Sequence, residues 1–320
     1  MRMKNINLIF YGCLFIAGLM APWLGIYPVY LMTLYCYAIF ACAFNLMLGY
    51  SGMLSFGHAA YFGFSSYITA HLITVYSCST VVAILAGMLT SCLLGLVIGF
   101  IAIRRSGIYF AMITLALSQL VYFVCLQASF TGGENGIQGV ARGDFIGLVS
   151  LKDDLTMYYF VFFVFVLVFL FIQRVINSPF GQVLKAIREN ENRACSLGYF
   201  VDRQKLLVFV ISSTLAGLAG SIKSVVLGFA TLSDVLQSTS GEVILMTMLG
   251  GAGTFFGPVL GAGIVVTLQD TLSDKVGSWV TVIIGAIFVL CVMAFRRGIV
   301  GEVLAYLNRR KEKSNPSTSS

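Results

Sequence analysis

Two histidines, eight cysteines and thirteen carboxylates are the groups in this 320-residue sequence with which catalysis or metal binding could be built. Their spacing supports neither. His58 and His71 stand outside any HExxH pattern, which would set two imidazoles on one helix face around a metal. The cysteines at 13, 36, 42, 78, 92, 125, 195 and 291 form no CxxC pair, and six lie in apolar runs where a thiol packs as a small hydrophobe. No GxxxxGK[ST] string is present, so the chain has no P-loop with which to hold ATP. No catalytic residue, cofactor or metal is expected. The polar chemistry that remains is weaker and is set among glycines. Asn45, Tyr50, Ser51, Gly52, Ser55 and His58 lie in or beside GYSGMLSFGH, and Gly250, Gly251, Gly253, Gly257 and Pro258 lie in LGGAGTFFGP. Such groups offer hydrogen bonds that a passing solute can make and release. His58 is favoured instead for a structural role, bonding a carbonyl freed where a helix breaks.

The elements that must position these groups are membrane helices. The chain is 58% hydrophobic and 10% charged, with mean hydropathy +0.93, against roughly 25% charge in soluble domains. That excludes a soluble globular protein, a disordered chain and a nucleic-acid binder. Apolar runs fall at 7–24, 30–48, 59–75, 81–103, 109–128, 157–172, 206–229, 243–268 and 276–295. At ~20 residues per span, the expected fold is an all-α polytopic membrane protein of about 8–10 transmembrane helices with Gly-rich broken or re-entrant segments. The first run lacks a small-residue cleavage pattern and reads as a retained span. Residues 1–300 form the membrane domain, and 301–320 a basic cytoplasmic tail expected to be disordered. Irregular backbone at membrane depth survives only where protein or a water-filled cavity satisfies it, and such breaks mark transport paths. The competing reading is small-residue helix packing. The two Gly-rich stretches also resemble each other, as the two halves of a repeat would.

Charge orients the chain. Sixteen of the 20 Lys and Arg fall at the N-terminus, at Arg104 and Arg105, around the loop 174–205 and in the tail, giving that set +11 and the remainder −4. Basic residues are retained in the cytoplasm. Counting one crossing per run from a cytoplasmic Met1 keeps all four places inside only if 243–268 enters and returns on the outer face, turning at Gly257–Pro258. Glu242, opening that run, is read as stabilising a helix N-terminus. Lys223, near the outer end of its run, either snorkels to the interface or serves a cavity.

The polar loop 175–205 contains NSPFGQVLKAIRENENRACSLGY. Ser178 suits an N-cap, Pro179 the first helical position and Gly198 a left-handed C-terminus, predicting one helix of about 18 residues between them. Phe180, Val183, Leu184, Ile187 and Ala194 share one side. The helix is too polar to span and lies on the membrane surface or docks on a partner.

The strings GYSGMLSFGHAAYFG, RRSGIYFAMITLALSQ, TGGENGI, SPFGQVLKAIRENENRACSLGY with KLLVFVISSTLAGLAGS, and SGEVILMTMLGGAGTFFGPVLGA resemble the LivM-like permease subunits of branched-chain amino acid ABC importers. The resemblance covers most of 45–263. It implies a bacterial cytoplasmic (inner) membrane location, and the charge distribution places both termini in the cytoplasm. It also implies a homologous second permease subunit, two ABC ATPase subunits, an extracytoplasmic substrate-binding protein and surrounding lipid as partners, with no nucleic acid. It assigns Ala186, Glu189, Ala194 and Gly198 to ATPase docking, and the neighbouring Arg188, Glu191 and Arg193 are grouped with them. Glu134, Asn135 and Asp144 of the outer loop would meet the binding protein, while Asn45 to His58 and Gly250 to Pro258 would line the path. Relatives carry branched-chain or other amino acids, urea and amides, or aromatic acids. This sequence departs at Ile108 and Gln119, where relatives commonly have acids, and at Lys223, where an apolar residue is usual. A stand-alone secondary transporter or channel is the other reading, disfavoured because the run interiors nearly lack the carboxylates that couple ions.

In a chain whose eight cysteines are replaced, a single cysteine at Ser314 should react with membrane-impermeant thiol reagents only from the cytoplasmic side. External labelling would overturn the topology.

Overall fold

The computed structural model describes residues 18–25, 27–145, 149–276, 279, 282–287, 289, 298 and 300–302. The first apolar run and the last run lie only partly within these residues, and the basic tail lies outside them apart from 301 and 302. Long helices dominate: α1 (Pro28–Ser51), α2 (His58–Thr74), α3 (Thr80–Ala102), α4 (Ile108–Gln127), α5 (Asp154–Ile176), α6 (Pro179–Glu189), α7 (Glu191–Ser196), α8 (Val201–Leu227), α9 (Gln237–Gly250) and α10 (Gly257–Val276). Among the described residues five of them, α1, α3, α4, α5 and α8, are long and apolar enough to cross a membrane. The chain is an all-α polytopic membrane protein.

Some helix ends carry a signal in the sequence. Pro28 occupies the first turn of α1, where its missing N–H costs nothing, and Gly52 closes it at φ +75°, in the left-handed region. Asp154 in the first turn of α5 and Arg174 in the last complement its dipole.

The packing centres on α8, which lies against α1, α2 and α3. At ~1.5 Å per residue, its 27 residues extend about 40 Å, beyond the ~30 Å hydrocarbon thickness. In lipid, helices gain nothing by hiding apolar side chains from one another, so close approach and hydrogen bonds must hold them. The α2–α3–α8 contact is built that way. A methyl on Gly220 would collide with the Phe62 carbonyl, and one on Gly217 with the Ser91 side chain. Ser65 Oγ donates to the Gly217 carbonyl at 2.7 Å and Ser91 Oγ to that of Tyr61 at 2.9 Å. The outer face of α3 is the converse, an exposed stripe of Val82, Leu85, Leu89, Leu93, Leu96 and Phe100 suited to hydrocarbon.

Four short strands tie the loops at the bundle end opposite α6. β1 (Ile137–Gln138) pairs antiparallel with β4 (Phe229–Ala230), and β2 (Asp144–Phe145) with β3 (Val149–Ser150). The 3₁₀ turn Leu232–Asp234 follows β4 and sets Asp234 against Lys223. Both are buried, Lys223 to 7% and Asp234 to 4% exposure, and the Lys223 ammonium sits 5.5 Å from the Tyr37 ring centre and 5.4 Å from that of Phe62. Lys223 therefore does not snorkel. A charge this far from water is tolerated because a carboxylate and two aromatic faces replace its hydration.

α9 and α10 form an antiparallel hairpin. Gly250 abuts Gly257, Gly261 abuts the Met246 carbonyl, and the Glu242 carboxyl of α9 faces Gln269 of α10. The apolar run 243–268 does fold back on itself, but the turn spans 251–256; Gly257 and Pro258 begin α10 rather than breaking it. Glu242 is likewise not at a helix N-terminus, because α9 starts at Gln237 and its first turn holds no acid. Its carboxylate joins the two arms instead.

Removing one partner of a buried ion pair leaves the other charge uncompensated, at a cost of about 3–5 kcal/mol. Lys223→Met and Asp234→Asn should each lower the thermal midpoint of the detergent-solubilised protein, and Lys223→Met with Asp234→Leu should recover most of the loss. A double variant no better than the singles would show that the two charges do not act on each other.

Candidate coupling site and the two helix breaks

The loop between α5 and α8 folds as two short helices rather than one. Ser178 caps α6, its hydroxyl accepting the Gly181 N–H at 3.4 Å, with Pro179 at the first position. The helix stops at Asn190, which is extended at φ −158° and ψ 104°. The Asn190 side chain accepts the Arg193 N–H at 3.0 Å and so caps α7. The apolar spacing predicted a continuous helix because an asparagine inside a helical pattern is a weak signal. An N-cap for the next helix is the stronger use of that side chain. Gly198 falls where expected, at φ +87°. Its N–H reaches the Cys195 carbonyl at 2.9 Å, and the Tyr199 N–H reaches that of Ala194 at 3.3 Å, the paired bonds of a Schellman end.

Ile187, Ala194 and Val201 form a small core with Val183 beneath this segment, and Lys205 pairs with Glu191 at 2.6 Å, holding α7 to α8. Of the residues assigned to docking, Arg188, Glu189, Glu191, Arg193 and Gly198 are exposed and Ala186 is half-buried. Ala194 is only 1% exposed, so it shapes the segment and presents no surface. A cleft of about 650 Å³ opens beside α6, lined among others by Gly52, Phe56, Arg105, Ile108, Arg188, Glu189 and Lys205.

The two Gly-rich stretches, some 200 positions apart in sequence, meet at this end of the bundle. Asn45 joins them: its Nδ2 donates to the Thr254 carbonyl at 2.9 Å and its Oδ1 accepts the Gly253 N–H at 2.9 Å. Gly49 lies so close to Gly253 that a methyl would overlap the Gly253 backbone. Ser51 Oγ donates to the Met47 carbonyl at 2.6 Å, and Ser55 Oγ accepts the Gly57 N–H at 3.2 Å. The polar groups of Asn45, Ser51 and Ser55 are thus engaged with backbone. Tyr50 carries the Lys185 ammonium 5.8 Å over its ring. His58 is fully buried among Phe44, Tyr61 and Phe209, with Nε2 2.8 Å from Ser212 Oγ. Ser212 Oγ gives its own proton to the Ala43 carbonyl at 2.6 Å, so His58 Nε2 carries the hydrogen and donates. Its partner is a hydroxyl of α8 and not the freed carbonyl expected of it; through Ser212 it braces α1, α2 and α8. Gly250 and Gly257 flank the turn of the hairpin and Gly251 opens it.

On the opposite end, Glu134 and Asn135 are exposed on the 3₁₀ turn Gly133–Asn135, and Asp144 lies in β2. The sequence reading missed Asp234, whose signal was its place eleven residues after Lys223 across the Gly228 turn. It also missed Thr254, whose part is played by its backbone carbonyl and leaves no mark in residue type.

The sequence profile described as "Branched-chain amino acid transport system / permease component" matches residues 28–292. Over 287 residues the chain is 27% identical to the high-affinity branched-chain amino acid transport system permease protein LivM of Salmonella typhimurium, covering 82% of this chain and 67% of that protein. The probable LivM of Methanocaldococcus jannaschii is 26% identical over 265 residues, covering 70% of this chain and 75% of the relative. The xylose transport system permease protein XylH of Haemophilus influenzae is 32% identical over 131 residues, or 38% of this chain. No solved structure matches.

Asn45→Leu keeps the number and branching of the side-chain heavy atoms but strips both bonds from the 251–256 turn, and each buried group left unpaired costs about 1–3 kcal/mol. A lowered thermal midpoint in detergent is expected, and an unchanged one would show that the turn is held by packing alone.

Proposed function

Because this chain belongs to the branched-chain amino acid transport permease family, we propose that it is one membrane-spanning subunit of an ATP-driven importer that moves branched-chain amino acids delivered by an extracytoplasmic binding protein. The observation that carries this reading is the match to the family over residues 28–292, which includes every long helix described.

Each proposed step has a physical basis in the chain. The outer loops, which carry exposed Glu134 and Asn135 and also Asp144, are where a loaded binding protein would dock. The solute would pass between this subunit and a homologous partner, because the interior of the single chain is packed: Asn45, Ser51 and His58 bond to protein groups. Energy would come from two ATPase subunits seated on α6 and α7, whose exposed Glu189 and Arg193 give a charged contact surface. Both termini and the segment 175–205 would then face the cytoplasm, as the distribution of Lys and Arg requires. Leucine, isoleucine and valine, the substrates named for the LivM relatives, are the first solutes to test.

Proteoliposomes holding this chain with its partner permease and ATPase subunits should accumulate labelled leucine only with both ATP and the binding protein present. The chain alone should give no flux. Leucine flux by the chain alone, without ATP, would replace this reading with a secondary transporter or channel.

A further inference from the structure

The structure assigns Arg188 to a different task from its neighbours on α6: although exposed like Glu189, it is a strut that ties the ATPase-facing helix to both helix breaks, and this rests on the importer reading above. Its guanidinium Nη1 donates to the carbonyl of Gly49 in the last turn of α1. The last carbonyls of a helix have no partner within the helix and carry its negative dipole end. A guanidinium, with its fork of donors, is therefore a favoured group to satisfy one.

The same side chain touches the remaining parts of the junction. A methyl on Gly52 would lie 3.1 Å from Arg188 Cγ, so the Arg188 stem covers the left-handed residue that ends α1. A methyl on Gly253 would lie 2.9 Å from Nη1 and 3.1 Å from the Gly49 carbonyl oxygen. Arg188 thus meets the C-terminal end of α1 and the turn of the α9–α10 hairpin at one point, and Asn45 locks those two to each other. The backbone of α6 leads directly from Arg188 to exposed Glu189. A displacement of α6 by a bound ATPase would pull on Gly49 through one charged bond, and through Gly49 on the hairpin. Glu189 can serve docking, because its exposed side chain is engaged in no ion pair among the described residues. Arg188 is a positioning residue and couples docking to the breaks.

The two roles separate in the assembled transporter. Arg188→Ala should leave co-purification of the ATPase subunits unchanged while leucine uptake per ATP hydrolysed falls about tenfold. Arg188→Lys, which keeps one charged donor, should recover part of that ratio. Glu189→Lys is the contrasting variant and should release the ATPase. Loss of the ATPase from Arg188→Ala, or an unchanged uptake-to-hydrolysis ratio, overturns the strut. Should the alanine variant not be recovered as a monodisperse complex, Arg188→Gln is read by the same two criteria. A second measurement needs neither ATPase nor substrate. In the purified full chain with native cysteines replaced, Arg188→Ala should raise the thiol reactivity of a cysteine at Ala252 about fivefold by freeing the 251–256 turn. Unchanged reactivity overturns the strut even if the wild-type complex transports. Raised reactivity in a chain that shows no ATP-driven uptake supports the strut and counts against the importer reading alone.

Discussion

A backbone carbonyl or N–H cannot stand bare in hydrocarbon, and a chain that breaks its helices inside a bilayer must supply a partner for each group it frees. The rest of this structure depends on how that constraint is met at two places. The C-terminal end of α1 and the turn between α9 and α10 each expose backbone, and each is completed by the other. Asn45 contributes an acceptor and a donor to the turn, and Arg188 contributes a donor to Gly49. Glycine is needed at Gly49 and Gly253 because the backbones approach to within the space of a methyl group. The glycines are the condition for two irregular segments to satisfy each other without water.

Around that junction the bundle is held by a second use of small residues. The contacts of α8 with α2 and α3 are made by glycine and serine, with serine hydroxyls donating to carbonyls of neighbouring helices. At the opposite end the Lys223–Asp234 pair closes the link from α8 into the hairpin. A hinge at the junction and a fixed anchor at the far end are what a lever requires. In the proposed importer the force would arrive through α6, the one described helix that meets both the exposed docking residues and the breaks.

The segment 177–200 shows how local rules compete. Its caps at Ser178 and Gly198 were legible because each depends on one residue and one backbone geometry. Its interruption at Asn190 was not, because the same apolar periodicity fits one long helix or two short ones, and only the folded segment shows that Asn190 gains more by capping α7. The buried state of Ala194 follows from that break, since it lets α7 fold back over Ile187 and Val201.

Composition and periodicity alone determined that this chain spans a membrane with helices, where those helices run, and that the run 243–268 folds back on itself. Those properties depend on the sum of many apolar side chains and on the sorting of charge, both additive along the sequence. The resemblance of its motifs to LivM-like permeases was equally readable, and the family match bears it out. Tertiary structure alone decided the partners: Lys223 with Asp234, Glu242 with Gln269, Arg188 with Gly49, and Asn45 with the backbone of Gly253 and Thr254. Residue types mark a group that needs a partner. Which partner it finds depends on how helices far apart in sequence come to lie side by side, and in the last two cases the partner is backbone, which is the same in every residue.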